Sequence, residues 1–235
     1  MSLTRALARA LSGHGDQGSL RARLRRRRIA PLMAMVAGIH AQKGSVQILD
    51  VGGTATYWGI LPEGFLDRHD VYVTVVNVPG SALPADAGRF RYRVADGCDL
   101  HMFAENSFDI AHANSVIEHV GDWPRMQAFA GEISRVAPCY LVQTPNYWFP
   151  LEPHCMTPFF HWLPKPLRVW MVMRHALGHW QRAHSVDAAV RTVDSARLLD
   201  RRQFAALFPG ARILTERFLG LPKSLVAVRD TAASC

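Results

Sequence analysis

The stretch VQILDVGGTATYWGIL, residues 46–61, restricts the fold more than any other part of the chain. Val46, Ile48, Leu49 and Val51 are apolar and mostly strand-forming, Asp50 stands near the end of the run, and Gly52 and Gly53 follow at once. A buried strand that empties into paired glycines presents bare main chain at its carboxyl end. A ligand can approach closely there because no Cβ stands in the way.

From this point strand and helix signals alternate. Strands are expected at 46–51, at 71–78 (VYVTVVNV, closed by Pro79-Gly80), near 90–95, at 108–114 and at 139–145. A helix is expected at 123–136, with Met126, Phe129, Ile133 and Val136 on one face. Apolar strands alternating with helices argue for an α/β fold, a Rossmann-like doubly wound sheet that is mostly parallel and covered on both sides. The pattern changes at about 146–182, where Trp, His, Pro and Phe crowd together. We read this as a helical insertion covering the ligand face, with 160–182 as a lid over an acceptor. A helix at 194–208 follows, and ARILTERFLG and SLVAVRD form an antiparallel closing pair. The domain therefore spans 46–235. Residues 1–45 form a basic amino-terminal helical arm, with a short amphipathic pattern in 1–19 and a second helix over 19–40, bounded or kinked at Pro31.

Charge separates arm from domain. Residues 1–30 carry eight arginines and one acid, Asp16, so most of the net charge of +8 belongs to the arm and the rest is nearly neutral. A basic fold would point to nucleic acid. A basic tail on a neutral fold points instead to a local contact, such as the surface of an anionic membrane, and nucleic acid is not the expected partner. Cys98, Cys139, Cys155 and Cys235 form no CxxC pair, which suits a reducing, cytoplasmic setting without a disulfide framework or zinc ribbon.

Ligands of open parallel sheets bind beyond the carboxyl ends of the strands. The polar residues at those ends are Asp50 to Gly53, Asn77, Asp96-Gly97-Cys98, Asn114-Ser115 and Gln143 to Asn146. Their recurrence along one rim suits a polar, nucleoside-like ligand. The segments LDVGGT (49–54), VADGCDL (94–100), NSFDIAHANSVIEHV (106–120) and ERFLGLPKSLVAV (216–228) together resemble a class I S-adenosylmethionine-dependent methyltransferase of the type 11 kind. The resemblance implies S-adenosyl-L-methionine as cofactor. Gly52, Gly53 and Thr54 would lie along its methionine part with Asp50 supporting the loop, Asn77 would face the ribose, Asp96, Gly97 and Cys98 the adenine, and Asn114 and Ser115 the sulfonium. Asn77 stands where the family usually has a carboxylate, so the charge-assisted part of that contact is missing. A dinucleotide enzyme is disfavoured, because its glycine fingerprint and second-strand acid are both absent.

Methyl transfer from a sulfonium is an in-line displacement that depends mainly on alignment. A base is needed only for an acidic acceptor group. His119, beside Glu118, and His154, in PLEPH, are the candidate catalytic residues. His175 and His179 have helical spacing, but Ala176 stands where the metalloprotease pattern needs Glu, and no metal site is expected. The expected acceptor is a small molecule, lipid or glycan. The alternatives are a catalytically silent cofactor-binding protein and a membrane-surface scaffold driven by the arm.

Overall fold

The computed structural model describes residues 20–231; the pattern expected in 1–19 lies outside the described residues. The first element, α1 (Leu20–Lys43), runs unbroken through Pro31. A proline inside a helix costs about 3 kcal/mol. Here Ile29, Leu32, Met35, Val36 and Ile39 are all buried in the core, and each such side chain contributes roughly 1.5–3 kcal/mol. Packing therefore outweighs the expected boundary at Pro31. The carboxyl half of this helix is part of the folded body.

The sheet has seven strands: β1 (Val46–Val51), β2 (Val71–Asn77), β3 (Phe90–Val94), β4 (Ile110–Asn114), β5 (Cys139–Pro145), β8 (Arg212–Phe218) and β9 (Leu221–Arg229). Their order is β3-β2-β1-β4-β5-β9-β8. Strands β1 to β5 pair in parallel, and β9 lies antiparallel to both of its neighbours. The strand order reverses between β1 and β4, which opens a crevice at their carboxyl ends.

One face is covered by α1, with Trp58 and Phe65. The other is covered by α3 (Trp123–Val136) and α6 (Arg201–Leu207), which bring Phe129, Ile133, Phe204 and Leu207 against Tyr140 and Val142. The last strand is tied to α3 through Arg229, whose guanidinium donates to the carbonyls of Ser134, Ala137 and Pro138 at the helix end. The short α2 (Phe65–Arg68) leads into β2.

Of the helix expected at 194–208 only Arg201–Leu207 is helical after Asp194, and a further helix precedes it. Helix α5 (Val186–Asp194) ends before Ser195, and α6 starts at a capping box in which Asp200 and Gln203 satisfy each other's main-chain N–H. Between them the chain is extended, so that Leu199 enters the core and its carbonyl accepts from Tyr147 N. The insertion begins with a small hairpin, β6 (Leu151–Glu152) and β7 (Thr157–Pro158). Helix α4 (Lys165–Arg174) then packs with α5 over a separate core containing Cys155, Phe160, Val172 and Val193.

Among the described residues no helix is long and apolar enough to cross a membrane. Leu32→Ala should lower the unfolding free energy by about 2–5 kcal/mol, measured by urea denaturation. A loss below 0.5 kcal/mol would mean that α1 does not share the core.

Candidate active site

The turn after β1 is organised by a buried carboxylate. Asp50 is fully buried and accepts from Trp58 Nε1 at 2.8 Å and from His112 Nδ1 at 2.7 Å. His112 sits opposite Asp50 in the β1–β4 register. With Nδ1 donating to Asp50, its Nε2 can accept from the Tyr57 hydroxyl at 3.2 Å. Burial pushes the Tyr57 phenol up to about 12, so the donor proton stays in place at neutral pH. Gly53 packs on the same carboxylate: a Cβ there would stand 1.8 Å from Asp50 Oδ2. Gly52 takes a left-handed φ of 72°, and its N–H bonds to Val76 O at 2.7 Å. The glycines are thus required by the fold of the turn, and the Gly52 main chain is left exposed. Thr54 is exposed too, and its hydroxyl pairs with that of Thr56.

The other rim residues gather around this turn. Asn77 donates from Nδ2 to Gly53 O at 3.1 Å and so braces the loop. Gly97 backs onto Val51, where a Cβ would come within 2.8 Å of the valine side chain. Asp96 accepts from Cys98 N at 2.9 Å and pairs with Arg125 at 2.6 Å. Partial burial raises the Asp96 carboxyl, but these two partners outweigh it and leave the group below its ordinary range. Burial, aided by Asp96, pushes the Cys98 thiol up to about 11, so it is not a thiolate at neutral pH. At the end of β4, Asn114 Oδ1 accepts from Arg28 Nη1 at 3.2 Å. Ser115 is held at a left-handed φ of 57°, with its hydroxyl donating to Gln143 Oε1 at 3.0 Å. A non-glycine residue in that conformation is kept there only by its surroundings.

Beside Ser115 lies a cavity of about 290 Å³. Its apolar wall includes Phe149, Leu151, Met156 and Phe218, and its polar groups include Gln143 and the Arg28–Glu216 pair. The wall from the insertion is its first part, 149–156. The residues that line this cavity include none from 160–182, whose buried apolar side chains pack into a core with α5.

Both candidate histidines lie on this side of the sheet and touch each other. His154 Nε2 is 3.1 Å from His119 Nε2. His119 Nδ1 donates to Ser195 O at 2.7 Å, and His154 Nδ1 bonds to Glu152 Oε1 at 2.6 Å. Burial lowers the His119 pKa and outweighs the pull of the Ser195 carbonyl. For His154 burial also acts downward, but bonding and charge from Glu152 together raise the group above its ordinary value. Glu118 is buried beside them, with Oε2 accepting from Thr144 Oγ1 at 2.9 Å, and burial pushes its carboxyl up to about 7.

Sequence reasoning missed four contributors: His112, Arg28, Glu152 and Glu216. His112 had a signal, as a polar residue inside an apolar strand. Glu152 lies two residues before His154. Arg28 and Glu216 reach the site from opposite ends of the chain and had none.

Residues 60–138 match the methyltransferase domain family, a stretch that begins after the glycine turn and includes β2, β3, β4 and α3. The chain is similar in structure to an O-methyltransferase family protein from Burkholderia thailandensis (17% identity, TM-score 0.47, 86% of this chain and 56% of that one). It is also similar to 1,6-didemethyltoxoflavin-N1-methyltransferase of the same organism, solved with bound 1,6-didemethyltoxoflavin and S-adenosylhomocysteine (16%, TM-score 0.44, 85% and 78%). A third similar structure is an S-adenosylmethionine-dependent methyltransferase from Methanosarcina mazei (14%, TM-score 0.45, 79% and 92%). The chain thus spans little more than half the length of the first of these. No curated protein matches it in sequence.

Gly53→Ala should displace the Asp50 carboxylate and release Trp58. The expected cost is about 1–3 kcal/mol in stability, with altered tryptophan fluorescence. Wild-type stability and an unchanged spectrum would show that the carboxylate does not lock the turn.

Proposed function

We propose that the chain is a class I S-adenosylmethionine-dependent methyltransferase that transfers the methyl group to a small, largely apolar acceptor held in the cavity beside Ser115. The observation that carries this reading is one juxtaposition. The turn at Gly52–Gly53 and Ser115, which lines the cavity, follow the ends of the paired strands β1 and β4, and Gly52 lies against Val116, the residue after Ser115.

The residues present fit the cofactor. Gly52 and Gly53 offer main chain without a Cβ, and Asp50 is spent on holding them. Thr54 extends that edge. Asn77 would meet the ribose with what its carboxamide has left after bracing Gly53 O. Asp96, Gly97 and Cys98 would take the adenine edge, and Asn114 and Ser115 the sulfonium end. S-adenosylmethionine supplies a methyl group activated by its positive sulfur. The chain's task is then alignment, bringing the acceptor atom and the methyl into line, which is worth several powers of ten in rate.

Electrostatics favours this placement. Arg28 would repel a cationic sulfonium, but Glu216 lies 3.0 Å from it and neutralises the pair. The cavity accepts an apolar body on Phe149, Leu151 and Met156, while Gln143 and Ser115 orient polar groups. Its volume is at the low end for small-molecule sites. His119 and His154, with Glu118, stand behind the cavity wall, next to its lining residue Pro153, and would engage the acceptor's reacting group from there.

Titration calorimetry of the full chain with S-adenosylmethionine and S-adenosylhomocysteine tests the cofactor site. One-site binding is expected, and Asp96→Ala should weaken it roughly tenfold, the worth of one charge-assisted hydrogen bond. Silence with both ligands would overturn the reading. Leu151→Trp, which fills the cavity, should keep cofactor affinity and abolish formation of S-adenosylhomocysteine with a small-molecule extract. Undiminished formation would move the acceptor elsewhere.

A further inference from the structure

Glu118, His119 and His154 offer ligand atoms that all lie within 4.8 Å of one another. The two imidazoles meet edge-on, nitrogen to nitrogen, with Nε2 atoms 3.1 Å apart and ring planes at 84°. Both rings are anchored through their other nitrogen, His119 to a carbonyl and His154 to a carboxylate. That carboxylate, Glu152, is itself buried and fixed by the main-chain N–H groups of His154 and Cys155, at 2.8 and 2.7 Å. Ligating histidines are supported in this way, by a carboxylate or carbonyl that orients the ring and sets which nitrogen is free.

A second observation points to the same place. Glu118 is 1% exposed, and only its Oε2 is satisfied, by Thr144; Oε1 is buried with no hydrogen-bond partner. Buried polar atoms of this kind call for a missing partner. Without an ion, one Nε2 must donate to the other while Oε1 stays unpaired. A cation held among the three would give both Nε2 atoms and a Glu118 carboxylate oxygen a common partner.

We propose that Glu118, His119 and His154 bind one divalent cation of the zinc class. Two imidazoles and one carboxylate are the donors that zinc and its neighbours in the first transition row take, and three protein ligands leave a further position open. His119 is exposed, so the position is reachable from solvent. The residues on either side of the His154–Cys155 pair, Pro153 and Met156, line the acceptor cavity. The open position is therefore suited to an acceptor oxygen, whose proton a bound cation makes easier to lose. That role rests on the methyl-transfer reading; the binding of the ion does not.

The test uses the full chain, stripped with a chelator and dialysed against zinc chloride without S-adenosylmethionine. One equivalent of zinc is expected. His119→Gln and His154→Gln should abolish it, and Glu152→Gln, which removes only a support, should weaken it about 10- to 100-fold. His175→Gln and His179→Gln should retain it. Cobalt in place of zinc should give visible ligand-field bands. In the wild-type chain, zinc should protect His119 from diethyl pyrocarbonate, read by peptide mass spectrometry, so the proposal does not depend on variants that misfold. No stoichiometric zinc, zinc that survives both histidine substitutions, or an unprotected His119 would each overturn it. Zinc binding without cofactor binding would keep the metal site and remove the methyl-transfer reading; the converse would do the reverse.

Discussion

The site depends on one buried carboxylate. Asp50 lies at the end of the first strand with no exposure to water, and its oxygens are taken up by the indole of Trp58 and the imidazole of His112. Burying a carboxylate without such partners costs several kcal/mol, so the three side chains stand or fall together. Because the carboxylate lies against residue 53, that residue must be glycine. The bare edge that suits a cofactor is thus a packing consequence of Asp50. The same network ties the turn to β4 through His112, and β4 ends in Asn114 and Ser115. One interaction sets both sides of the crevice.

Charge is handled locally. Arg28 reaches the cavity wall from a helix that begins in the arginine-rich region, yet Glu216 cancels it within the site. Asp96 is likewise paired with Arg125. The crevice is polar without carrying a strong net field, which suits a cofactor that changes charge when it gives up its methyl group.

Much of the scaffold was legible in the sequence. The five parallel strands, the helix at 123–136 and the antiparallel closing pair follow from apolar runs and turn residues, because local period and burial agree there. The resemblance to class I methyltransferases rested on segments at 49–54, 94–100, 106–120 and 216–228, and the domain match over 60–138 covers the middle two. Errors arose where tertiary packing overrode local pattern. Pro31 did not interrupt α1, since five buried side chains hold that helix to the sheet. The apolar run at 194–208 did not make one helix, since Leu199 is used by the core in extended form and the capping box at Asp200 starts a new helix.

The candidate histidines show the boundary between the two kinds of information. The sequence by itself determined the strand-to-glycine turn, the order of polar strand ends and the presence of His119 and His154 as chemistry-bearing residues. Only the tertiary structure decided that these two rings meet, that Glu118 and Glu152 support or join them, and that Arg28 and Glu216 close the cavity. The reason is distance along the chain. Hydrophobic period and turn chemistry act over a few residues and leave their mark on neighbouring letters. Contacts between residues 35 or 188 positions apart exist only once the sheet brings its strand ends together.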